Sequence, residues 1–277
     1  MNSIIRFSRQ FLLAGVAIAG STLGFNLPAA LALPEAVVIE KLKPVPMYML
    51  INDSGQPIFA SVENENGDAT GVTGIFVSPS DAERLVLSRR EEAKKILQEE
   101  QASGGDTATI TALTQQVELW EEANILPISL DKIYEFAQSD DAADLSFKFF
   151  PTMKQLNAAA QVIEGQTFPG VPLFFLSMQS TNEQGEAITT FPTSDKDGKI
   201  PVFFEVEPIL EQIEGFGSQE DLNINVMALE VFIAKLVDQE LPADEQEFFN
   251  EMTLIPVEES TRLIQSIIEQ QQGQQGN

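Results

Sequence analysis

The chain contains no cysteine and no histidine. Without thiols there is no disulfide framework, so the fold must be held by its core alone. Without imidazole there is no Ser-His-Asp triad; without either group there is no Cys-His dyad, and zinc or copper lose their favoured ligands. Tryptophan occurs once and tyrosine twice, against 19 phenylalanines. The aromatic surface is therefore almost wholly apolar, which suits a core or a greasy groove better than hydrogen-bonded recognition. Positive charge is scarce as well: 16 Lys and Arg stand against 42 Asp and Glu, a net of −26. That balance excludes nucleic acid, whose phosphates need basic neutralisation, and disfavours anionic lipid. It keeps the chain soluble and attracts basic partners.

Phosphate cradles are missing too. Neither G-x-x-x-x-G-K-[ST] nor G-x-G-x-x-G occurs. Asp195-Lys196-Asp197-Gly198 opens like a calcium loop, but the later ligands are absent, and Asp-Gly is ordinary turn chemistry. Among so many acids some carboxylates must lie close together, yet nothing marks one pair as a glycosidase pair. A carboxylate-dependent hydrolase is thus the one enzymatic alternative; the reading is of a non-enzyme with no catalytic residue, metal or cofactor.

Long apolar runs are confined to the N-terminus. Arg6 and Arg9 precede FLLAGVAIAG, and Ala30-Leu31-Ala32 has the small-x-small form of a cleavage site. Residues 1–32 read as a secretory signal peptide. The apolar stretch falls short of the roughly 20 residues that span a bilayer. No stable membrane insertion is expected, and the exported chain is two charges more negative.

What is present is an echo. Positions 45–50 read VPMYML and positions 171–176 read VPLFFL. Each is followed by a polar turn and a return strand. Gly74-Ile75-Phe76-Val77-Ser78-Pro79 parallels Pro201-Val202-Phe203-Phe204-Glu205-Val206-Glu207-Pro208. Both are apolar strands leading to a proline that opens a helix, with Ser78 as a cap in the first. Phe147-Lys148-Phe149-Phe150-Pro151 and Met252-Thr253-Leu254-Ile255-Pro256 repeat the device, each before an amphipathic helix. The shared order predicts an α+β fold of two pseudo-symmetric repeats, each a small β-sheet with packed helices. The expected boundaries are 33–165 for the first lobe, with a helical insertion near 98–122, 166–268 for the second, and a disordered Gln/Gly tail at 269–277.

Strands such as Leu173-Phe174-Phe175-Leu176 are apolar at every position, so both faces lie in nonpolar surroundings. Either helices cover both faces, or part of one face lines an open groove that takes extended or helical segments. On the second reading the client-binding residues are Tyr48, Phe76, Phe149, Phe150, Phe174, Phe175, Phe203 and Phe204.

Val45-Pro46-Met47-Tyr48 with Gly55-Gln56-Pro57-Ile58, then Gly74-Ile75-Phe76-Val77-Ser78 before the Asp81-Ala82 helix start, resembles the Tic-twenty-two-like family. These are cyanobacterial relatives of the twenty-two-kilodalton soluble component of the chloroplast envelope import machinery. The resemblance spans roughly 44–268 and implies two pseudo-symmetric α+β halves with exposed hydrophobic pockets. It implies a periplasmic chaperone for unfolded or precursor proteins, serving outer-membrane protein biogenesis beside the Omp-eighty-five type insertase. A thylakoid-lumen location is the alternative place, and an acidic scaffold docking a partner of the insertion machinery is the alternative role.

Overall fold

A computed structural model describes residues 4–8, 33–63, 69–139, 145–181, 185–215 and 221–275. Of the expected signal peptide only Ile4–Ser8 is described, as strand β1; the rest lies outside the described residues. The chain is mixed α+β with two sheets. It divides into two compact units, unit 1 being Met1–Leu42 with Met153–Pro256 and unit 2 being Lys43–Thr152 with Val257–Asn277.

Unit 2 begins with β2 (Pro46–Ile51), whose turn is set by Asn52. The Asn52 side chain accepts from the amides of Ser54 and Gln56 at 3.0 and 2.9 Å, and Gly55 supplies the positive φ. Strand β3 (Phe59–Glu63) then pairs with β4 (Ala69–Phe76). Ser78 caps helix α2 (Pro79–Ser103), with Pro79 in its first turn, as the punctuation predicts. Gly104 closes α2 in a left-handed cap, and α3 (Thr107–Glu121) returns along it as the helical insertion. Strand β5 (Asn124–Ser129), helix α4 (Leu130–Ala137) and strand β6 (Leu145–Phe150) follow. The sheet order is β3-β4-β2-β5, with β6 parallel to β4. As an edge strand, β5 tolerates Pro127.

Unit 1 takes α1 (Glu35–Leu42), then α5 (Met153–Val162), β7 (Pro172–Thr181), β8 (Ala187–Pro192) and β9 (Ile200–Phe203). Helix α6 (Glu207–Gly215), β10 (Leu222–Ala228), α7 (Leu229–Val237), α8 (Ala243–Glu251) and β11 (Met252–Ile255) complete it. The order is β1-β8-β7-β9-β11, with β10 antiparallel to β7. The last helix, α9 (Glu258–Gln275), belongs to unit 2. It runs through the tail expected to be disordered as far as Gln275, in keeping with the fair helix propensity of Gln and Glu.

The echo maps onto matching pairings. Strands β2 and β5 are antiparallel, as are β7 and β10. Tyr48 faces Phe76 as Phe174 faces Phe203. Strands β4 and β6 are parallel, as are β9 and β11. The amide of Leu130 donates to the Val45 carbonyl at 2.8 Å, and that of Leu229 to the Val171 carbonyl at the same distance.

The compact units differ from the contiguous lobes 33–165 and 166–268. Each takes a helix that follows the other's edge strand: α5 comes after β6 but packs in unit 1, and α9 comes after β11 but packs in unit 2. The cause is visible in the side chains. Ala158, Ala159 and Val162 of α5 fit against Phe174, Leu176 and Phe203, and Leu263 of α9 packs against Tyr48, Leu50 and Phe76.

Both faces of β7 are covered, which explains its unbroken apolar run. Phe174 and Leu176 meet α5 and α6, and Phe175 meets Phe191 and Phe248 in an aromatic cluster that runs on through Phe249 to Phe232.

Candidate functional site

The expected client-binding rings are mostly core. Tyr48, Phe76, Phe174, Phe175, Phe203 and Phe204 are buried, and Phe149 and Phe150 are half-buried. Tyr48, Phe76 and Phe150 stand in one apolar cluster, in unit 2, and Phe174 and Phe203 in another, in unit 1. In unit 2 the Phe76 and Phe150 rings stack at 5.0 Å with planes 13° apart, and the Lys148 ammonium lies 5.6 Å over Phe150. Trp120, Leu85 and Val86 close this stack from the α2–α3 side. Phe76 and Phe150 packed in this way brace the sheet of unit 2.

Phe203 is the exception in position. It lines a pocket of about 610 Å³ in unit 1. The parallel register of β9 and β11 pairs Pro201 with Thr253 and Phe203 with Ile255. Strand alternation then separates two sets. Ile200, Val202, Met252 and Leu254 are buried, while Pro201, Phe203, Thr253 and Ile255 line the pocket. Ile255 is 36% exposed, too much for a core residue, so the pocket offers apolar surface to solvent. Gln212 of α6 supplies an amide at the wall.

The rim is the turn between β8 and β9. The Ser194 amide donates to the Lys199 carbonyl at 2.8 Å, the Lys196 amide to Ser194 Oγ at 3.2 Å, and the Lys199 amide to Asp197 Oδ1 at 3.1 Å. Gly198 has a φ of +70° that favours glycine. The Asp195–Gly198 segment is thus a turn, and its exposed Asp195, Lys196 and Asp197 form a mixed-charge edge to the pocket. Among the described residues no group of three or more acidic side chains could hold a metal ion. None of their helices is long and apolar enough to cross a membrane.

Thr253, Ile255 and Pro192 are not among the expected client-binding residues, and Asp195–Gly198, expected as a turn, was not expected at a pocket. The signal existed: in Met252-Thr253-Leu254-Ile255 the polar Thr253 marks the face opposite Met252 and Leu254.

Unit 1 also holds a half-buried cation. Lys41 donates to the carbonyls of Asn250 and Met252 at 2.6 and 2.8 Å, where α8 ends and β11 begins. Burial, then the charge of Lys199, lowers its pKa from 10.5 to about 8, with Glu251 opposing. In unit 2, burial pushes the Tyr48 hydroxyl up, and the neighbouring Ser260 hydroxyl opposes the rise. These groups brace the fold and do not face the pocket.

Comparisons with known proteins agree with the fold. Curated proteins give no match. Two solved structures share the architecture. One is described as Anabaena Tic22 (protein transport), 21% identical with a TM-score of 0.58, covering 84% of this chain and 97% of that one. The other is Tic22 from Plasmodium falciparum, 18% identical with a TM-score of 0.51, covering 83% and 96%. The profile of the Tic22-like family matches residues 8–266, and the chain belongs to that family.

Proposed function

We propose that the chain is a non-enzymatic chaperone of protein transport that holds apolar segments of unfolded or precursor proteins in the periplasm. The observation that carries this reading is its membership in the Tic22-like family, whose Anabaena relative is described as a protein-transport protein. Its place would be beside the outer-membrane insertase, with the thylakoid lumen as the alternative compartment. The residues read as a signal peptide support export.

The pocket over β9 and β11 is the contact surface this reading needs. Covering about 400 Å² of apolar client surface gives a gross gain near 10 kcal/mol. Ordering the client offsets most of it, which leaves weak, reversible binding. No nucleotide is required, and the net charge of −26 keeps a loaded complex soluble. The matched pairings of the two sheets support a further reading, that the chain is two copies of one unit.

The decisive assay is aggregation of an unfolded outer-membrane porin diluted from urea. Purified chain without residues 1–32 suppresses it without nucleotide at a few-fold excess; no suppression at ten-fold excess sinks the proposal. The same charge favours a second reading, an acidic scaffold. Raising salt abolishes partner binding on that reading but preserves or strengthens apolar capture.

A further inference from the structure

The outer edges of the sheets are finished differently. An edge strand presents a row of unpaired backbone groups, and proteins blunt it with proline, lysine or a covering contact. The edges at β5, β6 and β11 are blunted in these ways. On β5 the Leu130 amide donates to the Val45 carbonyl at 2.8 Å. In that antiparallel register Ile125, Pro127 and Ser129 turn their backbone groups outward, and Pro127 has no N–H to offer. Strand β6 carries the exposed Lys148. On β11 the Ile255 carbonyl accepts from the Phe204 amide, so that of Met252 points the other way, and Lys41 Nζ takes it at 2.8 Å.

Strand β10 has none of these devices. Its sequence, LNINVMA, contains no proline, glycine or basic residue. The Gln179 amide donates to the Asp221 carbonyl at 2.8 Å, which fixes the phase of the ladder. Asn223, Asn225 and Met227 turn their backbone groups toward β7, and Leu222, Ile224 and Val226 turn theirs away. Among the described residues β10 pairs with no strand but β7. Val226 holds the place of Pro127. Leu229 donates to Val171 as Leu130 donates to Val45, and each of the two residues stands three positions earlier. The edge that unit 2 closes with a proline is left open in unit 1.

The open edge also has two unlike faces. Leu222, Ile224 and Val226 are half-buried and pack on the cluster of Ala159, Phe174 and Ile209. Asn223 and Asn225 stand on the opposite face, where Asn225 Nδ2 donates to Ser177 Oγ at 2.9 Å. No Lys or Arg lies between Lys199 and Lys235, and the exposed Asp221 heads the strand. A second copy of the chain would meet its own acids there. We infer that the edge of β10 is a docking site for an extended segment of another protein, added as an antiparallel strand. In that segment apolar residues alternate with polar ones, and a basic residue at its C-terminal end lies beside Asp221. Antiparallel pairing is the more stable per residue. Backbone bonds give the affinity and the alternation gives the selectivity. The strands of an unfolded membrane barrel have this alternation. Phe174 pairs with Val226 on one side and with Phe203 on the other, so the edge lies across β7 from the pocket strands. The inference goes beyond the chaperone reading and stands without it.

The test uses the full chain and, as probe, a fluorescein-labelled peptide in which nine alternating valines and threonines end in two lysines. Fluorescence anisotropy is expected to show saturable binding. N-methylation of the valine amides, which point at β10 when valine shares the face of Ile224, should weaken it at least ten-fold. N-methylation of the threonine amides, which point away, should change it less than two-fold. Val226→Pro in the chain supplies the block that Pro127 supplies in unit 2 and should also weaken binding at least ten-fold. The Val226 amide is not bonded to β7, so the sheet keeps its ladder. Absence of probe binding overturns the inference, and so does equal binding of the two methylated probes. If circular dichroism shows that Val226→Pro disorders the chain, the methylated probes on the natural chain decide alone. A dimer of the natural chain that Val226→Pro dissolves, read by sedimentation, overturns the choice of partner in favour of a second copy. Porin aggregation is scored separately: probe binding without suppression removes the chaperone reading and keeps the edge, and suppression without probe binding does the opposite.

Discussion

The face of β4 and β6 and the face of β9 and β11 are built to one plan and finished differently. Both are parallel pairs in matching register, Gly74 with Lys148 and Phe76 with Phe150 in one, Pro201 with Thr253 and Phe203 with Ile255 in the other. In unit 2 the long α2–α3 hairpin brings Leu85, Val86 and Trp120 over two stacked rings. In unit 1 Phe203 packs against α5 and α6, and its partner Ile255 stands exposed at a pocket. The same strand pairing thus ends in a stacked pair of rings in one unit and in an exposed apolar residue beside a pocket in the other.

The two faces should differ most at the paired phenylalanines. Phe76→Ala leaves a void under a closed lid, so both transfer and cavity terms apply and about 4 kcal/mol is lost. Phe203→Ala opens toward the pocket, water fills the space, and the cost falls to about 2 kcal/mol. Urea unfolding reads the two separately. The single Trp and both Tyr residues, Trp120, Tyr48 and Tyr134, lie in unit 2, so fluorescence follows that unit, while far-ultraviolet circular dichroism follows both. Equal losses would mean that the two faces are equally sealed.

Next comes the exposed partner. Ile255→Asp should change stability by less than about 1 kcal/mol, because the side chain already meets water. On the proposed function it should weaken client capture about ten-fold in the porin assay, or about 1.4 kcal/mol. Phe150→Asp, at the matched position, buries a charge against Phe76 and should cost several kcal/mol instead. Capture that survives Ile255→Asp would move the contact surface away from the pocket.

A smaller effect attaches to Gly74. A Cβ there would stand 3.1 Å from the Phe150 ring and 3.2 Å from the Phe76 ring, so a strand glycine admits the stack. Gly74→Ala should cost about 1 kcal/mol by forcing the rings apart. If fluorescence unfolding shows no change, the stack has room that the pocket side was thought to monopolise.

Much of this layout was legible in the residues. Ser78-Pro79 marked the start of α2, and the strand–proline–helix punctuation located β4, β6, β9 and β11. Strand β10 has no place in the shared order of elements, although Leu222, Ile224 and Val226 alternate with Asn223 and Asn225. Which of the eight expected client-binding rings meets a guest is not written in the strands. An all-apolar strand such as Leu173–Leu176 reports two nonpolar faces and says nothing of whether a helix or a guest supplies them. The exchange of α5 and α9 could not be read at all. It depends on which sheet each helix fits, a tertiary preference carried by Ala159 and Leu263 that sequence order conceals.

The smallest expected effect sets the units against each other in alkali. Lys41, in unit 1, has its folded pKa lowered from 10.5 to about 8, so between those values the unfolded chain holds a proton that the folded one has shed. Stability of unit 1 therefore rises with pH across that window. A full shift of that size corresponds to about 3 kcal/mol, and partial exposure of the ammonium reduces the expected gain to about 1 kcal/mol. Tyr48, in unit 2, has its folded pKa raised above 10.0 by burial, so its contribution is complete below 10.0 and is lost as pH climbs through the raised value. The urea midpoint seen by fluorescence should hold steady from pH 8 to 10 and then fall. The dichroism signal that fluorescence does not share should strengthen over the same interval. Lys41→Met should remove the rise and Tyr48→Phe the fall, each without touching the other. A single change that flattens both would show that the two cores unfold as one.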